Sequence, residues 1–235
     1  MTHKKIIRIL ILSDSLGIPR PKNGIKKEKT YSNLLKVKNK VLVTFKGRSG
    51  STTKNIFFLI KNIQKQKNLT INRINKKLFD LCIIHCGIVD CVPRPFNKTL
   101  MFILIKLPFF KDLLKKISRS NFFISRFGKP WISEKVFLET LTQVKLISNM
   151  LAKKTFFIEI ARPAHYLIKN CGDFSIKVKR YNDILKFISG QKYFLKIFYG
   201  KPADNFLLRD GHHLNLMGHK LIYKKIKSII NLKKK

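Results

Sequence analysis

The stretch that most constrains this fold runs from Ile6 to Leu12, six apolar residues interrupted only by Arg8, and it ends abruptly in Ser13-Asp14-Ser15-Leu16-Gly17. A short branched apolar run that meets a turn of small residues reads as a buried strand. Such a strand end is rigid, and the turn after it lifts one hydroxyl, that of Ser15, toward solvent, as a nucleophile requires. Ser and Asp are also common at helix starts. Taken alone, the stretch therefore supports either a nucleophile or a helix cap.

The same kind of run recurs along the chain. Val41 to Phe45, Leu78 to Cys86, Thr155 to Ile160 and Lys192 to Phe198 read as four further strands. Leu78 to Cys86 is nearly continuous in apolar residues, as a strand covered on both faces should be. Between the strands lie patterns of helical period: Thr30 to Val37, about Thr52 to Lys67, about Ser133 to Leu151, Lys177 to Ser189 and Leu214 to Ile230. Strands alternating with helices at this spacing predict an α/β fold, a three-layer α/β/α sandwich around a five-stranded, mainly parallel sheet. Ligands in such folds bind at the C-terminal edge of the sheet. At 235 residues the chain is one domain, 1–235, with a helical insertion at about 95–152. Within the insertion, Phe109 to Ile117 reads as helical and Ser118 to Lys129 as a Phe-rich hinge. Its aromatic residues, Trp131 included, suit either a lid over the site or ordinary helix-on-sheet packing.

Fifty basic against twelve acidic residues give a formal charge of +38. A field of that size attracts nucleic acid or anionic membrane. The lysines spread over the chain, however, together with abundant Ile, Asn and Phe, as low-GC codon bias produces. No basic segment is interleaved with aromatics as a single-strand groove requires, so no specific nucleic-acid partner is expected. Clusters at Lys22 to Lys29 and Lys233 to Lys235 read as a solvated loop and tail. The four cysteines, Cys82, Cys86, Cys91 and Cys171, form no metal-binding spacing, and a reducing cytoplasm is the simplest setting. Lys4 and Lys5 before an apolar run superficially resemble a signal peptide. The run lacks a cleavage site and leads directly into Ser15. No stretch is long and apolar enough to span a bilayer.

At the other end, Asp210-Gly211-His212-His213 precedes the last helical pattern. An Asp three residues before a His places both in one turn, so the carboxylate can orient the imidazole and stabilise its charged form. His85, inside a strand, reads as a core residue. His165 lacks an Asp at that spacing and ranks below His213. With Ser15 near the N-terminus and Asp210 and His213 near the C-terminus, the sequence resembles the SGNH (GDSL-type) hydrolase superfamily over nearly its whole length. Four blocks match in order: Ser13 to Leu16, where the family has Gly-Asp-Ser-Leu; Gly50 in GRSGSTT; Gly87-Ile88-Val89-Asp90, where it has Gly-x-Asn-Asp; and Asp210 to His213. Ser13 replaces the family's Gly, and Val89 replaces its Asn, removing an expected oxyanion donor.

The resemblance implies a flavodoxin-like fold and a serine esterase or acyl hydrolase that needs neither metal nor cofactor. Its catalytic residues would be Ser15, Asp210 and His213, with the amides of Ser15 and Gly50 as oxyanion donors. Asp14, Val89 and Asp90 from the blocks, and Arg20 and Arg94 shortly after them, are expected around the substrate, Arg94 with Arg20 behind it. The forms DSLGIPR and GIVDCVPR resemble a branch associated with bacterial surface-polysaccharide biosynthesis, which implies O-acyl groups of a glycan as substrate. Acyl transfer through the same acyl-serine, or a degenerate glycan-binding protein, remain open alternatives, and a basic nucleic-acid-binding protein ranks behind both. The sequence leaves the oligomeric state open.

Overall fold

A computed structural model describes residues 6–36, 41–70, 77–107, 113, 116–117, 124, 126–170 and 172–231. Five strands, β1 (Ile7–Ser13), β2 (Val41–Gly47), β3 (Phe79–His85), β4 (Ala152–Ile158) and β5 (Phe194–Leu195), form one sheet in the order β2-β1-β3-β4-β5. Every pairing is parallel, so the sheet expected to be mainly parallel is parallel throughout. Parallel neighbours need crossovers, and helices supply them. They are α1 (Tyr31–Lys36), α2 (Thr53–Thr70), α3 (Ile88–Cys91), α4 (Lys98–Lys106), α5 (Glu134–Leu151), α6 (His165–Asn170), α7 (Gly172–Ser189) and α8 (Leu216–Asn231).

The two-residue period of the strands sorts the core into two halves. Leu10 and Leu12 of β1, with Cys82 and Ile84 of β3, pack under α2, α5 and α7 through Ile56, Ile60, Phe137, Leu141, Val178 and Leu185. Ile9 and Ile11, with Leu81 and Ile83, pack on the opposite face against Leu35 of α1 and Ile222, Ile226 and Ile230 of α8. This is the expected α/β/α sandwich. It also explains why β1 and β3 are so rich in apolar residues: Ile9 to Ser13 and Asp80 to His85 are buried, whichever face they point to.

The boundary expected for the insertion needs correction. Helix α5 buries Phe137, Leu141, Val144 and Leu151 against the sheet, so it is the β3–β4 crossover helix and part of the sandwich. The extra segment is narrower. Arg94 and Lys129 exchange backbone hydrogen bonds of 3.1 and 3.0 Å, closing its base. Most of the expected Phe109 to Ile117 helix and Ser118 to Lys129 hinge lies outside the described residues, as do Val37, Cys171, the Lys233 to Lys235 tail, and Lys4 and Lys5. Cys82, Cys86 and Cys91 are buried free thiols. Among the described residues no helix is long and apolar enough to cross a membrane.

Because β1 lies between β2 and β3, the chain moves outward in one direction after β1 and in the other after β3. The crevice beyond the C-terminal ends of β1 and β3 is therefore the topological switch point, where ligands bind in open α/β sheets.

Candidate active site

Three side chains converge at that point. The loop after β1 presents Ser15, whose Oγ lies 3.0 Å from Nε2 of His213, and Nδ1 of His213 lies 2.8 Å from Oδ2 of Asp210. Oδ1 of Asp210 also accepts the backbone N–H groups of His212 and His213, at 3.2 and 3.0 Å. Burial alone would raise the Asp210 pKa. The hydrogen bond from His213, the neighbouring His212 and the amide bond outweigh it and hold the carboxyl well below its usual range. An ionised carboxylate on Nδ1 fixes the imidazole tautomer that leaves Nε2 free to accept the serine proton.

The loop carrying Asp210 and His213 has no regular structure, so other groups hold it. Leu208 donates to the His213 carbonyl at 2.7 Å, and Ala164 donates to the Gly211 carbonyl at 2.9 Å. Asn215 donates to the carbonyls of Asn205 and Leu207 at 3.0 and 3.1 Å, and its own carbonyl receives the Gly218 amide at 3.0 Å. Tyr166 donates to the Arg209 carbonyl. Sequence reading assigned none of these residues a role, because the carbonyls they bind identify themselves only in three dimensions.

Beside Ser15 is a cavity of about 160 Å³ lined by Ser15, Ser49, Gly50, Ile88, Val89, Val92, Arg94, His212 and His213. Gly50 has φ 69°, a left-handed conformation that favours glycine, and its amide and that of Ser15 have no hydrogen-bond partner among the described residues. Two unpaired amides at the cavity can donate to an oxygen atom that enters it. Val89 lines the cavity and brings no side-chain donor, and its carbonyl accepts Nη1 of Arg94 at 2.7 Å. A second cavity of about 450 Å³ adjoins the first through Ser49 and Gly50 and is lined further by Lys46, Arg48, Asn55, Phe58, Asn62 and Trp131. Trp131 thus lies at the site, as a wall of this second cavity, with its Nε1 donating to the Phe96 carbonyl at 3.0 Å.

Three of the residues expected at the substrate sit elsewhere. Asp14 is fully buried, and its two oxygens accept the amides of Leu16 at 2.9 Å and Gly87 at 3.0 Å. It clamps the β1 loop to the β3 loop. Asp90 is fully buried as well, accepting the amide and hydroxyl of Thr53 at the start of α2 at 3.0 and 2.9 Å. A carboxylate on the first amide of a helix satisfies an otherwise orphan donor. Burial pushes the Asp14 pKa up to about 7 and that of Asp90 up to about 6, against the lowering effect of these amide bonds. Carboxylates so enclosed hold the loops and do not face a ligand. Arg20 is half-buried and interacts with Asp210 and Asp14, so it stands on the aspartate side of the triad and not behind Arg94.

Beneath the nucleophile turn lies a polar layer. Ser13 Oγ donates to the His85 carbonyl at 2.9 Å, and the Tyr31 hydroxyl lies 3.2 Å from His85 Nδ1. The Ser13 hydroxyl is thus satisfied, which is why a Ser is tolerated where a Gly was expected. A Cβ on Gly17 would come within 2.4 Å of Ser13 Oγ and 2.8 Å of the Tyr31 hydroxyl, so only glycine fits there. Burial lowers the pKa of His85 to about 3, and it is a neutral core residue, as its place in a strand suggested. Burial and the adjacent His213 lower His212 to about 4.

No protein-family model and no curated protein sequence matches the chain. Solved structures do. A psychrotrophic esterase from Pseudoalteromonas sp. superposes with a TM-score of 0.54 at 17% identity, covering 95% of this chain and 98% of the esterase. A lipolytic protein of the G-D-S-L family from Veillonella parvula gives 0.57 at 12% identity, over 96% and 98% of the two chains. An acetylxylan esterase from Geobacillus stearothermophilus gives 0.56 at 16% identity, over 95% and 94%. Over about 95% of its length the chain has the fold that these esterases and the G-D-S-L lipolytic protein share.

Proposed function

We propose that the protein is a serine esterase that cleaves ester-linked acyl groups through an acyl-serine intermediate. The observation that carries this reading is the continuous chain from Ser15 Oγ through His213 to Asp210, with links of 3.0 and 2.8 Å, beside two unpaired amides. His213 Nε2 takes the Ser15 proton as Oγ attacks the ester carbonyl, and the amides of Ser15 and Gly50 hold the resulting oxyanion. His213 then passes that proton to the departing alcohol. A water molecule, deprotonated by the same imidazole, releases the acid and regenerates Ser15. Asp210 stays ionised throughout. Every proton transfer passes through His213, and water is the only reactant besides the ester. The similar acetylxylan esterase has catalytic mutants in which a serine, an aspartate or a histidine is replaced, and its aspartate and histidine stand three positions apart, the spacing of Asp210 and His213.

The natural substrate in this reading is an O-acyl ester of a glycan. The small cavity at Ser15 suits a short acyl group, and the larger one gives a sugar unit space beside an aromatic wall. With Val89 in place of an amide donor, hydrolysis is slow, since one oxyanion donor is worth about a hundred- to a thousandfold in rate. A fluorophosphonate probe tests the reading: it should label Ser15 in the native protein and fail to label His213→Ala. Absence of labelling in the folded native protein would sink it.

A further inference from the structure

Among the described residues Arg94 is held differently from the exposed lysines. Its backbone pairs with Lys129, its Nη1 donates to the Val89 carbonyl at 2.7 Å, and its Cζ lies 3.8 Å from the centre of the Trp131 ring. An exposed lysine is solvated and needs no partner. Arg94 is half-buried, yet no carboxylate stands within ion-pair distance of it among the described residues. Asp90, close enough to interact with it, already has its oxygens on Thr53. A guanidinium has five N–H donors in a fixed fork, and the bond to Val89 occupies one nitrogen. Removing a cation from water without a counterion is costly.

Among the described residues none supplies that counterion, and the position of Arg94 opens it to one from outside. Arg94 lines the cavity of Ser15 and His213, and Trp131 beneath it lines the adjoining cavity, so the pair stands where the two meet. Neither cavity has an acidic residue in its lining, and the second adds the exposed Lys46 and Arg48. Burial draws the Arg94 pKa down to about 10, with Cys91 and Asp90 opposing, which leaves it charged at neutral pH.

We infer that Arg94 is a specificity-determining residue that binds a negatively charged group of the substrate beside the scissile ester, so that the enzyme prefers anionic esters. This rests on the serine-esterase reading and names the class of ester. A carboxylate meets the guanidinium fork through two parallel hydrogen bonds, which orients the substrate as well as attracting it. Orientation of that kind acts on the ester carbonyl through the rigid body of the substrate.

The test compares 4-acetoxybenzoate with its neutral isostere 4-acetoxybenzamide. The native protein should show a kcat/KM for the benzoate higher by about tenfold or more, and Arg94→Gln should remove most of that ratio, chiefly through KM. Arg94→Lys, which keeps the charge and loses the fork, should retain part of it. If the native protein does not discriminate, or if Arg94→Gln slows both esters equally as loss of an oxyanion donor would, the inference fails. Binding separates this from failure of the esterase reading itself. Trp131 is the only tryptophan, and its fluorescence should report 4-acetoxybenzoate binding to Ser15→Ala. Binding of benzoate over benzamide there, with no turnover in the native protein, keeps Arg94 as an anion site and overturns the esterase; no preference in binding overturns the anion site.

Discussion

Asp14 and Asp210 each stand beside a residue of the triad, and their surroundings are opposite. Asp14 is sealed from solvent and its oxygens meet only backbone amides. The side chain of Asp210 is 38% exposed and its oxygens meet an imidazole as well as amides. Burial raises the pKa of the first to about 7, while hydrogen bonds and charge drive that of the second well down. The difference separates two uses of one side chain: an aspartate enclosed among amides joins loops, and an aspartate at the surface of a cleft, in the esterase we propose, holds a charge for chemistry. Asp90 belongs with Asp14.

The largest effect should come from exchanging the charge of Asp210 for an amide. Asp210→Asn keeps the shape and presents a donor or a weak acceptor to Nδ1, which favours the wrong tautomer of His213. In our reading kcat for a short-chain aryl ester falls by about ten-thousandfold while the melting temperature stays close to the native value. A mild loss of activity with a large loss of stability would place Asp210 with Asp14 and erase the contrast. Ser15→Ala and His213→Ala should be as inactive as their double mutant, because groups that act as a unit lose activity together. His212→Ala should retain most activity.

The next effect is on stability. Asp90→Ala leaves the buried Thr53 amide and hydroxyl without an acceptor at the start of α2, and an unsatisfied buried donor costs about 1–3 kcal/mol. Chemical denaturation should show that loss. Activity of the remaining folded protein should fall far less than in Asp210→Asn, and a selective loss of turnover without destabilisation would return Asp90 to the substrate.

The smallest effect is on the pH dependence of unfolding, where the two kinds of aspartate act with opposite sign. A carboxyl whose folded pKa is raised stabilises the fold fully below its unfolded pKa, near 3.8, and that contribution is lost as pH rises toward about 7 for Asp14 and about 6 for Asp90. Asp210, with a depressed folded pKa, contributes above 3.8 and loses its contribution as the solution is acidified below that value. Relative to the native protein, Asp14→Asn should therefore gain stability between pH 4 and pH 7, and Asp210→Asn should gain only below about pH 4. Parallel profiles for the two variants would show that their surroundings are alike.

Much of this was legible in the sequence, and what escaped it has a common cause. The strands announced themselves because β1 and β3 are largely buried on both faces, and the contact between Asp210 and His213 because the two share one turn. Asp14 and Asp90 were expected at the substrate because they lie in the right blocks. Their partners, the amides of Gly87 and Thr53, lie 73 and 37 positions away. An amide has no letter of its own in a sequence. Arg20 and Arg94 looked equivalent, each following a proline near a block residue, and only the fold puts one beside Asp210 and the other beside Val89. The crossover helix α5 was assigned to the insertion because its amphipathic pattern does not say which neighbour it covers.

The bond from His213 to Ser15 joins residues 198 positions apart. Closing so long a loop is among the last things a chain does, because the entropy lost must first be offset by the sheet and the helices around it. On a ribosome, Ser15 and its strand emerge long before the histidine that would activate them exists. The nascent protein therefore carries an inert serine until His213 has been made, and in our reading esterase activity appears only when α8 has docked on the sheet. Turnover would then report completion of the fold, and a refolding experiment followed by activity should lag one followed by helical signal.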